Sequence, residues 1–249
     1  MPSLGVTPAW RVGDTIRRAT GPWTPTIHAL LAHLDEAGFT EAPRVLGIDE
    51  HGREVLTWVA GAATDWRCSD AVLAGMGRLA RRLRTTLDGW VPAPDLRTWR
   101  TGIHEDGFPI LHNDFAPWNV IVRGDAVVGL IDWDVAGPRP VLDDIAYAAW
   151  RACPLDPTLE DQDPVAFARW PERLAILADS YMLDGDERIR FPEAILARTI
   201  RACHAVAWAV EHGDDGLARV WNRGSFAGYC GRSATWIDEH RASIERALT

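Results

Sequence analysis

Apolar and polar positions alternate in short stretches over the first sixty residues and then shift to helical spacing. Trp10-Arg-Val12 and Thr15-Ile-Arg17-Arg18 flank Gly13-Asp14, the pattern of a tight hairpin. Ile27, Leu30, Leu31 and Leu34 recur at helical intervals behind Thr24-Pro25 and stop before Gly38. This predicts a helix with Thr24 as its cap and Pro25 in its first turn. Strands are expected over 44–49 and 54–59, around the turn Glu50-His51-Gly52. Ala60-Gly61-Ala62-Ala63 reads as a connector. From about residue 70, Val72, Leu73, Met76, Leu79, Ala80, Leu83 and Leu87 line one helical face, which the Pro-rich stretch 91–94 ends. A loop, a strand, a turn and a second strand occupy 110–134, and helices are expected over 143–150, 169–183, 192–212 and 215–246. The pattern describes an α+β chain. A small β-rich lobe covers 1–60, a larger helical lobe covers 61–249, and the boundary lies just before the densest polar motif.

Composition narrows the classes of function. The net charge of −9 and the lack of a basic or aromatic-basic stripe argue against a nucleic-acid binder, and the acidity suits a cationic ligand or simple solubility. All 26 basic residues are arginine. Cys68, Cys153, Cys203 and Cys230 are scattered without a Cys-x-x-Cys pair, which favours reduced core thiols over zinc or disulfides. The opening Met-Pro-Ser-Leu-Gly-Val lacks the basic and apolar regions of a signal peptide, and no apolar run reaches membrane-spanning length. A soluble cytoplasmic protein with no membrane partner is expected. Oligomeric state is not legible.

The chemistry concentrates in residues 110–134. His112-Asn-Asp114-Phe-Ala-Pro-Trp-Asn119 places a carboxylate and a carboxamide five residues apart on one loop. Val120, Ile121 and Val122 continue as a buried strand, and its antiparallel partner ends in Ile131-Asp132-Trp-Asp134. Phosphoryl transfer needs a carboxylate to orient the attacking hydroxyl and oxygen ligands to hold Mg²⁺ on nucleotide phosphates. Asp114 suits the first task, and Asn119 with Asp132 suits the second. Alone, either Asp114 or Asn119 would read as an ordinary turn cap. The hairpin between the two parts of the array favours the functional reading.

These segments resemble the catalytic and metal-binding segments of the aminoglycoside phosphotransferase and choline-kinase-like family, which has the protein-kinase-like fold. Asp143-Asp144-Ile-Ala-Tyr matches the family's following segment. Residues 12–61, with Val-Gly-Asp-Thr-Ile-Arg-Arg, Gly-Pro-Trp-Thr-Pro and Gly-Arg-Glu-Val-Leu, are similar to a compact bacterial branch described as trifolitoxin-immunity-like. The resemblance implies a site in the interlobe cleft, with Asp114 as catalytic base and Asn119 and Asp132 as Mg²⁺ ligands. Ile121 and Ile131 would floor the adenine pocket, and Thr57-Trp58-Val59 would be the hinge that meets the adenine edge. His112 would brace the loop, with Asp144 as its buried partner. Asp134 would be a second metal ligand, a contact to a cationic substrate or a solvated turn residue. The implied ligands are ATP or GTP, Mg²⁺, and a hydroxylated acceptor such as an aminoglycoside or amino alcohol.

The small lobe departs from that pattern. A strand lysine paired with a helix glutamate usually positions the α- and β-phosphates, yet the chain has no lysine. Arg17 or Arg18 falls where the lysine would be, and strand alternation allows only one of them to face the cleft. Helix 25–37 offers no inward glutamate, only Glu36 near its end and His28 or His33 in its body. Leu4-Gly5-Val6 is too little for a full glycine-rich phosphate loop. The leading expectation is an ATP- and Mg²⁺-dependent small-molecule phosphotransferase of the antibiotic-resistance type. Its rival is a degenerate kinase-like binding or immunity protein without turnover. A metal-assisted phosphate hydrolase is a weaker third reading, because no independent nucleophile accompanies these carboxylates.

Overall fold

The computed structural model describes residues 7–102, 107–222 and 226–249; the curtailed phosphate loop expected at Leu4-Gly5-Val6 lies outside them. The small lobe pairs β1 (Ala9–Val12), β2 (Thr15–Ala19), β3 (Val45–Ile48) and β4 (Arg53–Thr57) into one antiparallel sheet of order β1-β2-β4-β3. Helix α1 (Thr24–Glu36) packs on it through Ile27, Leu30, Leu31 and Leu34. Thr24 is not the cap of α1: Trp23 holds that place without a side-chain bond, and the Thr24 hydroxyl instead accepts from the Gly21 N–H at 2.9 Å. Proline in the first turn fits the expectation, since that turn has no intrahelical acceptor for its N–H.

The expected connector contains a two-residue strand, β5 (Ala62–Ala63), which pairs with β7 (Val120–Arg123); β7 in turn pairs with β8 (Ala126–Leu130). Glycine at two positions permits this packing. A Cβ on Gly129 would sit 2.3 Å from Val59 of the hinge, and one on Gly61, whose φ is +149°, would sit 2.5 Å from Ile121. A further pair, β6 (Ile110–Leu111) with β9 (Gly137–Pro138), ties the start of the 112–119 loop to the end of the 131–136 loop. That short ladder makes the two polar segments neighbours.

Helices make up most of the large lobe: α2 (Asp70–Thr86), α3 (Asp143–Ala152), α4 (Pro164–Phe167), α5 (Trp170–Tyr181), α6 (Gly185–Glu211), α7 (Asp215–Asn222), α8 (Phe226–Glu239) and α9 (Arg241–Ala247). Helix α6 starts seven residues before the expected 192, because Asp184 and Glu187 form a reciprocal capping box and Pro192 is absorbed inside the helix. The single helix expected over 215–246 is instead α7, α8 and α9, with residues 223–225 outside the described chain. The four cysteines are free, and three of them are buried. No helix among the described residues is long and apolar enough to cross a membrane.

Helix α2 carries the core stripe read from the sequence and lies close against α5. Contact is close at Gly77, where a Cβ would meet Ser180 Oγ at 2.0 Å and the Leu177 carbonyl oxygen at 3.0 Å. Gly77→Val should therefore separate the helices and destabilise the protein by about 1–3 kcal/mol, read as a lower urea midpoint. An unchanged midpoint would show that the two helices have slack there.

Candidate active site

The loop 112–119 is fixed from below by a buried carboxylate. Asp144, in the first turn of α3, accepts the backbone N–H groups of His112 at 2.9 Å and Asn113 at 2.7 Å. Asp144 is thus the buried partner of His112, through the loop backbone and not through the ring. The ring itself spans the two motifs. Its Nδ1 accepts the Asp114 N–H at 3.2 Å, so Nε2 carries the hydrogen and donates to the Ile131 carbonyl at 3.0 Å. Burial holds the His112 pKa down at about 4, which keeps the ring neutral. The Trp133 ring closes edge-on against it, 4.6 Å between centroids. Asn113 adopts φ +65°, and its amide nitrogen donates to the Val135 and Gly137 carbonyls.

This bracing leaves Asp114 at the floor of a cleft of about 1100 Å³. Asn119 Nδ2 donates to Asp114 Oδ2 at 2.7 Å and to its carbonyl at 2.9 Å, and the Tyr147 hydroxyl also bonds the carboxylate. Burial and the negative charge of Asp132 nevertheless raise the Asp114 pKa to about 7, against the lowering effect of Asn119, Tyr147 and Arg198. Asp132 lies beside Asn119, whose backbone carbonyl accepts the Ile131 N–H at 2.9 Å, and adopts the left-handed conformation, φ +65°. With its amide nitrogen committed to Asp114, Asn119 has its side-chain carbonyl oxygen left for a cation. Asn119 and Asp132 both line the cleft. Two hard oxygen donors fit a Mg²⁺ ion that takes its remaining ligands from phosphates and water. No cluster of three or more His, Cys, Asp or Glu among the described residues forms a closed cage.

Strand alternation is resolved in favour of Arg18. It is buried, donating through Nε to Glu54 Oε1 at 2.7 Å, through Nη1 to Asp132 Oδ1 at 3.3 Å, and through Nη2 to Asp134. Arg17 is a correction to the cofactor-binding candidates: it does not line the cleft, and its Nε lies 3.7 Å from Asp49. Adjacent strand residues point to opposite faces, so one of the pair had to leave. Glu54, which sequence reasoning missed, fills the role sought on α1. Its register partner across β2 and β4 is Arg18, and its other oxygen lies 3.1 Å from His28 Nε2 on α1. The signal was the alternation of buried Glu54 and Leu56 along β4. Asp134 is not a solvated turn residue: it is buried and takes Arg18, Arg100 at 3.0 Å and the Thr7 hydroxyl at 2.7 Å.

Comparison with known proteins agrees with this arrangement. The pattern of the phosphotransferase enzyme family matches residues 96–177, the span containing both motifs. The chain is 33% identical to the trifolitoxin immunity protein of Rhizobium leguminosarum bv. trifolii, over 98% of this chain and 96% of that protein. The chain belongs to the phosphotransferase enzyme family, in its trifolitoxin-immunity branch. Among solved structures it is similar to amicoumacin kinase hAmiN in complex with AMP-PNP, Ca²⁺ and Ami, with a TM-score of 0.65 and 11% identity over 96% of this chain and 87% of that one. It also resembles a Plasmodium vivax ethanolamine kinase, TM-score 0.60 and 12% identity over 100% and 83% of the two chains. A third likeness is the gentamicin–APH(2″)-IIa complex, TM-score 0.59 and 10% identity over 98% and 91%. At such identities these likenesses establish the kinase-like fold.

In this phosphotransferase-family chain the other expected residues also meet at the cleft. Thr57, Trp58, Val59, Ile121 and Ile131 line it. The Trp58 N–H donates to the Asp14 carbonyl at 2.9 Å, so the first hairpin turn is pinned to the hinge.

Arg18→Met would strand Glu54 and Asp134 in the interior with one cationic partner fewer each. A loss of about 3–5 kcal/mol in unfolding free energy is expected; a loss below about 1 kcal/mol would show that the bridge does not hold the lobes. Asp114 gives a pH signature. Its folded pKa lies above its unfolded value, so the folded state holds a proton that the unfolded state releases, and stability falls as pH rises from about 4 to about 7. Asp114→Asn removes that loss. The stability of the variant minus wild type should rise by up to about 4 kcal/mol across that window, while the opposing effects of His112 and Asp144 are common to both proteins. A flat difference would place Asp114 in water.

Proposed function

We propose that the protein is an ATP- and Mg²⁺-dependent phosphotransferase that moves a γ-phosphoryl group to a hydroxyl. The observation that carries this reading is the Asp114 carboxylate, held by Asn119 at the cleft floor near Asp132 and below Arg18. The acceptor hydroxyl lies against the Asp114 oxygen that Asn119 leaves open. As the acceptor oxygen–phosphorus bond forms, the bond from phosphorus to the β,γ-bridging oxygen breaks and its electron pair leaves with ADP; the hydroxyl proton passes to Asp114. Asn119 and Asp132 would hold Mg²⁺, which supplies charge neutralisation on the phosphates. Arg18 stands where a kinase lysine would and presents a planar guanidinium to the phosphates. Thr57, Trp58, Val59, Ile121 and Ile131 receive the base. The hinge lies on the small-lobe side, which supports a boundary near residue 60 between a lobe over 1–60 and one over 61–249.

The second reading, an immunity protein that binds without turnover, is favoured by the Arg18–Asp132 ion pair and by the name of the 33% identical relative. Thermal shift with Mg-ATP, followed by ADP release over a panel of hydroxyl compounds, separates the two. Stabilisation that depends on Mg²⁺ is expected, lost in Asp132→Ala. Turnover should fall by at least about 100-fold in Asp114→Ala. Retained turnover in that variant would remove Asp114 from its role, and the absence of any shift with Mg-ATP would favour the immunity reading.

A further inference from the structure

The cleft has two electrical ends. At the small-lobe end Arg11, Arg18 and Arg100 line the cleft with Asp132 and Asp134, and Glu54 and Asp214 stand behind them, so the buried arginines there are matched by carboxylates. The far end is the reverse. Among the described residues the lining as a whole carries seven arginines against three aspartates, although the chain is acidic overall. Asp114, Asp132 and Asp134 are those three, so the far wall, with Arg139, Arg151, Arg198 and Arg201, presents no carboxylate to the cavity.

Two of these arginines have spare capacity. Arg198 is 8% exposed and donates to the Asn113 carbonyl, but its buried Nε–H has no hydrogen-bond acceptor; Asp143 lies 3.9 Å away and is already gripped by Arg201. Arg151 has no carboxylate partner among the described residues. It donates to the Tyr229 hydroxyl and lies over the rings of Trp118, Trp150 and Tyr229, at 4.7, 4.9 and 5.0 Å, with its own buried Nε–H unsatisfied. The aromatic box that would attract a cationic ligand is thus filled by the protein's own guanidinium. Both arginines act electrostatically on Tyr147, whose hydroxyl touches Asp114, so they stand beside the reacting position. Ala202, Val206, Leu217 and Phe226 supply an apolar wall next to them.

We infer that the acceptor is an amphipathic hydroxyl compound bearing an oxyanion, a carboxylate or phosphate, which Arg151 and Arg198 receive, in place of a cationic aminoglycoside or amino alcohol. This rests on the phosphotransferase reading, since that reading makes this end of the cleft the acceptor side. Forked N–H donors pair with carboxylate or phosphate oxygens, and a buried unsatisfied N–H recovers its lost hydrogen bond when such a group enters. A cationic acceptor would instead meet like charge without solvent to screen it.

The test uses aryl alcohols that differ only in charge: 4-(hydroxymethyl)benzoate, 1,4-benzenedimethanol and 4-(aminomethyl)benzyl alcohol, with 4-(hydroxymethyl)phenyl phosphate to separate the two oxyanions. Binding to the intact protein without nucleotide is followed by saturation-transfer NMR. An oxyanion should bind at least about tenfold more tightly than the amine, with the neutral diol between them. Arg151→Gln should reduce that preference without altering the Mg-ATP thermal shift. If that variant does not fold, the ranking on the wild-type protein still decides. Equal or tighter binding of the amine, or no binding of either oxyanion at roughly 10 mM, overturns the proposal. Because these arms need no turnover, a protein that binds the oxyanion yet releases no ADP separates failure of the phosphotransferase reading from failure of this one.

Discussion

The guanidinium of Arg18 leaves a small-lobe strand and meets carboxylates from three places: Glu54 on the neighbouring strand, and Asp132 and Asp134 on the large lobe. A buried cation with these partners fixes distances, because releasing Glu54 or Asp134 strands a charge away from water at a cost of about 3–5 kcal/mol. The position of the small sheet over the cleft follows from that constraint. Arg100 extends it, bonding Asp134 and Asp214 while stacking 4.6 Å over Trp23 beside α1. Arginine suits the position where lysine would not, since separate N–H groups on a rigid plane can address several carboxylates at once. With Glu54 adjacent in the sheet, α1 is freed from supplying a glutamate and contributes His28 to the back of the pair.

Net charge and local field point in opposite directions. The surplus of acidic residues is a property of the surface as a whole, whereas a ligand responds to the groups that line its cleft in a low-dielectric setting. There Asp132 and Asp134 answer the arginines of the small-lobe end, and the far wall carries arginines with no carboxylate facing the cavity. Asp114 lies between them. Burial and Asp132 raise its pKa while Arg198 lowers it, so one of the two arginines inferred to receive an acceptor also favours the ionised carboxylate.

Local features were legible in the sequence and long-range ones were not. The His112–Asn119 loop and the Ile131–Asp134 segment are continuous in the chain, and the strands joining them alternate clearly, so their meeting could be read directly. The α2 stripe was equally plain. Arg17 against Arg18 could not be decided from alternation, which fixes a pattern without its phase; the phase is set by pairing with β4. Glu54 was missed for the same reason, since its partner lies 36 residues away. Asp134 depends on groups 34 and 116 residues distant, so the sequence leaves its role open among metal ligand, substrate contact and turn residue. Helix α6 begins before the expected 192 because the capping box at Asp184 and Glu187 sets its start and Pro192 is carried inside it.

The reduced small lobe and the arginine bridge are two sides of one arrangement. The β1–β2 turn is short and tied to the hinge through Asp14 and Trp58, which leaves it little freedom to fold over phosphates. On the proposed reading, grip on a nucleotide would come mainly from Arg18 and the Asn119–Asp132 oxygens. Arg18 Nη1 already neutralises Asp132, so a divalent ion on that carboxylate competes with the guanidinium for the same oxygen. Were a divalent ion bound there, Asp132 would hold it in place of the arginine, and the freed N–H would be available to the phosphates accompanying the ion. Glu54 and Asp134 keep Arg18 in place meanwhile, since its Nε and Nη2 bonds are not involved. A lysine could not divide its contacts in this way. Arginine in its place joins the two lobes and, on the proposed reading, would couple metal entry and phosphate contact to that same side chain.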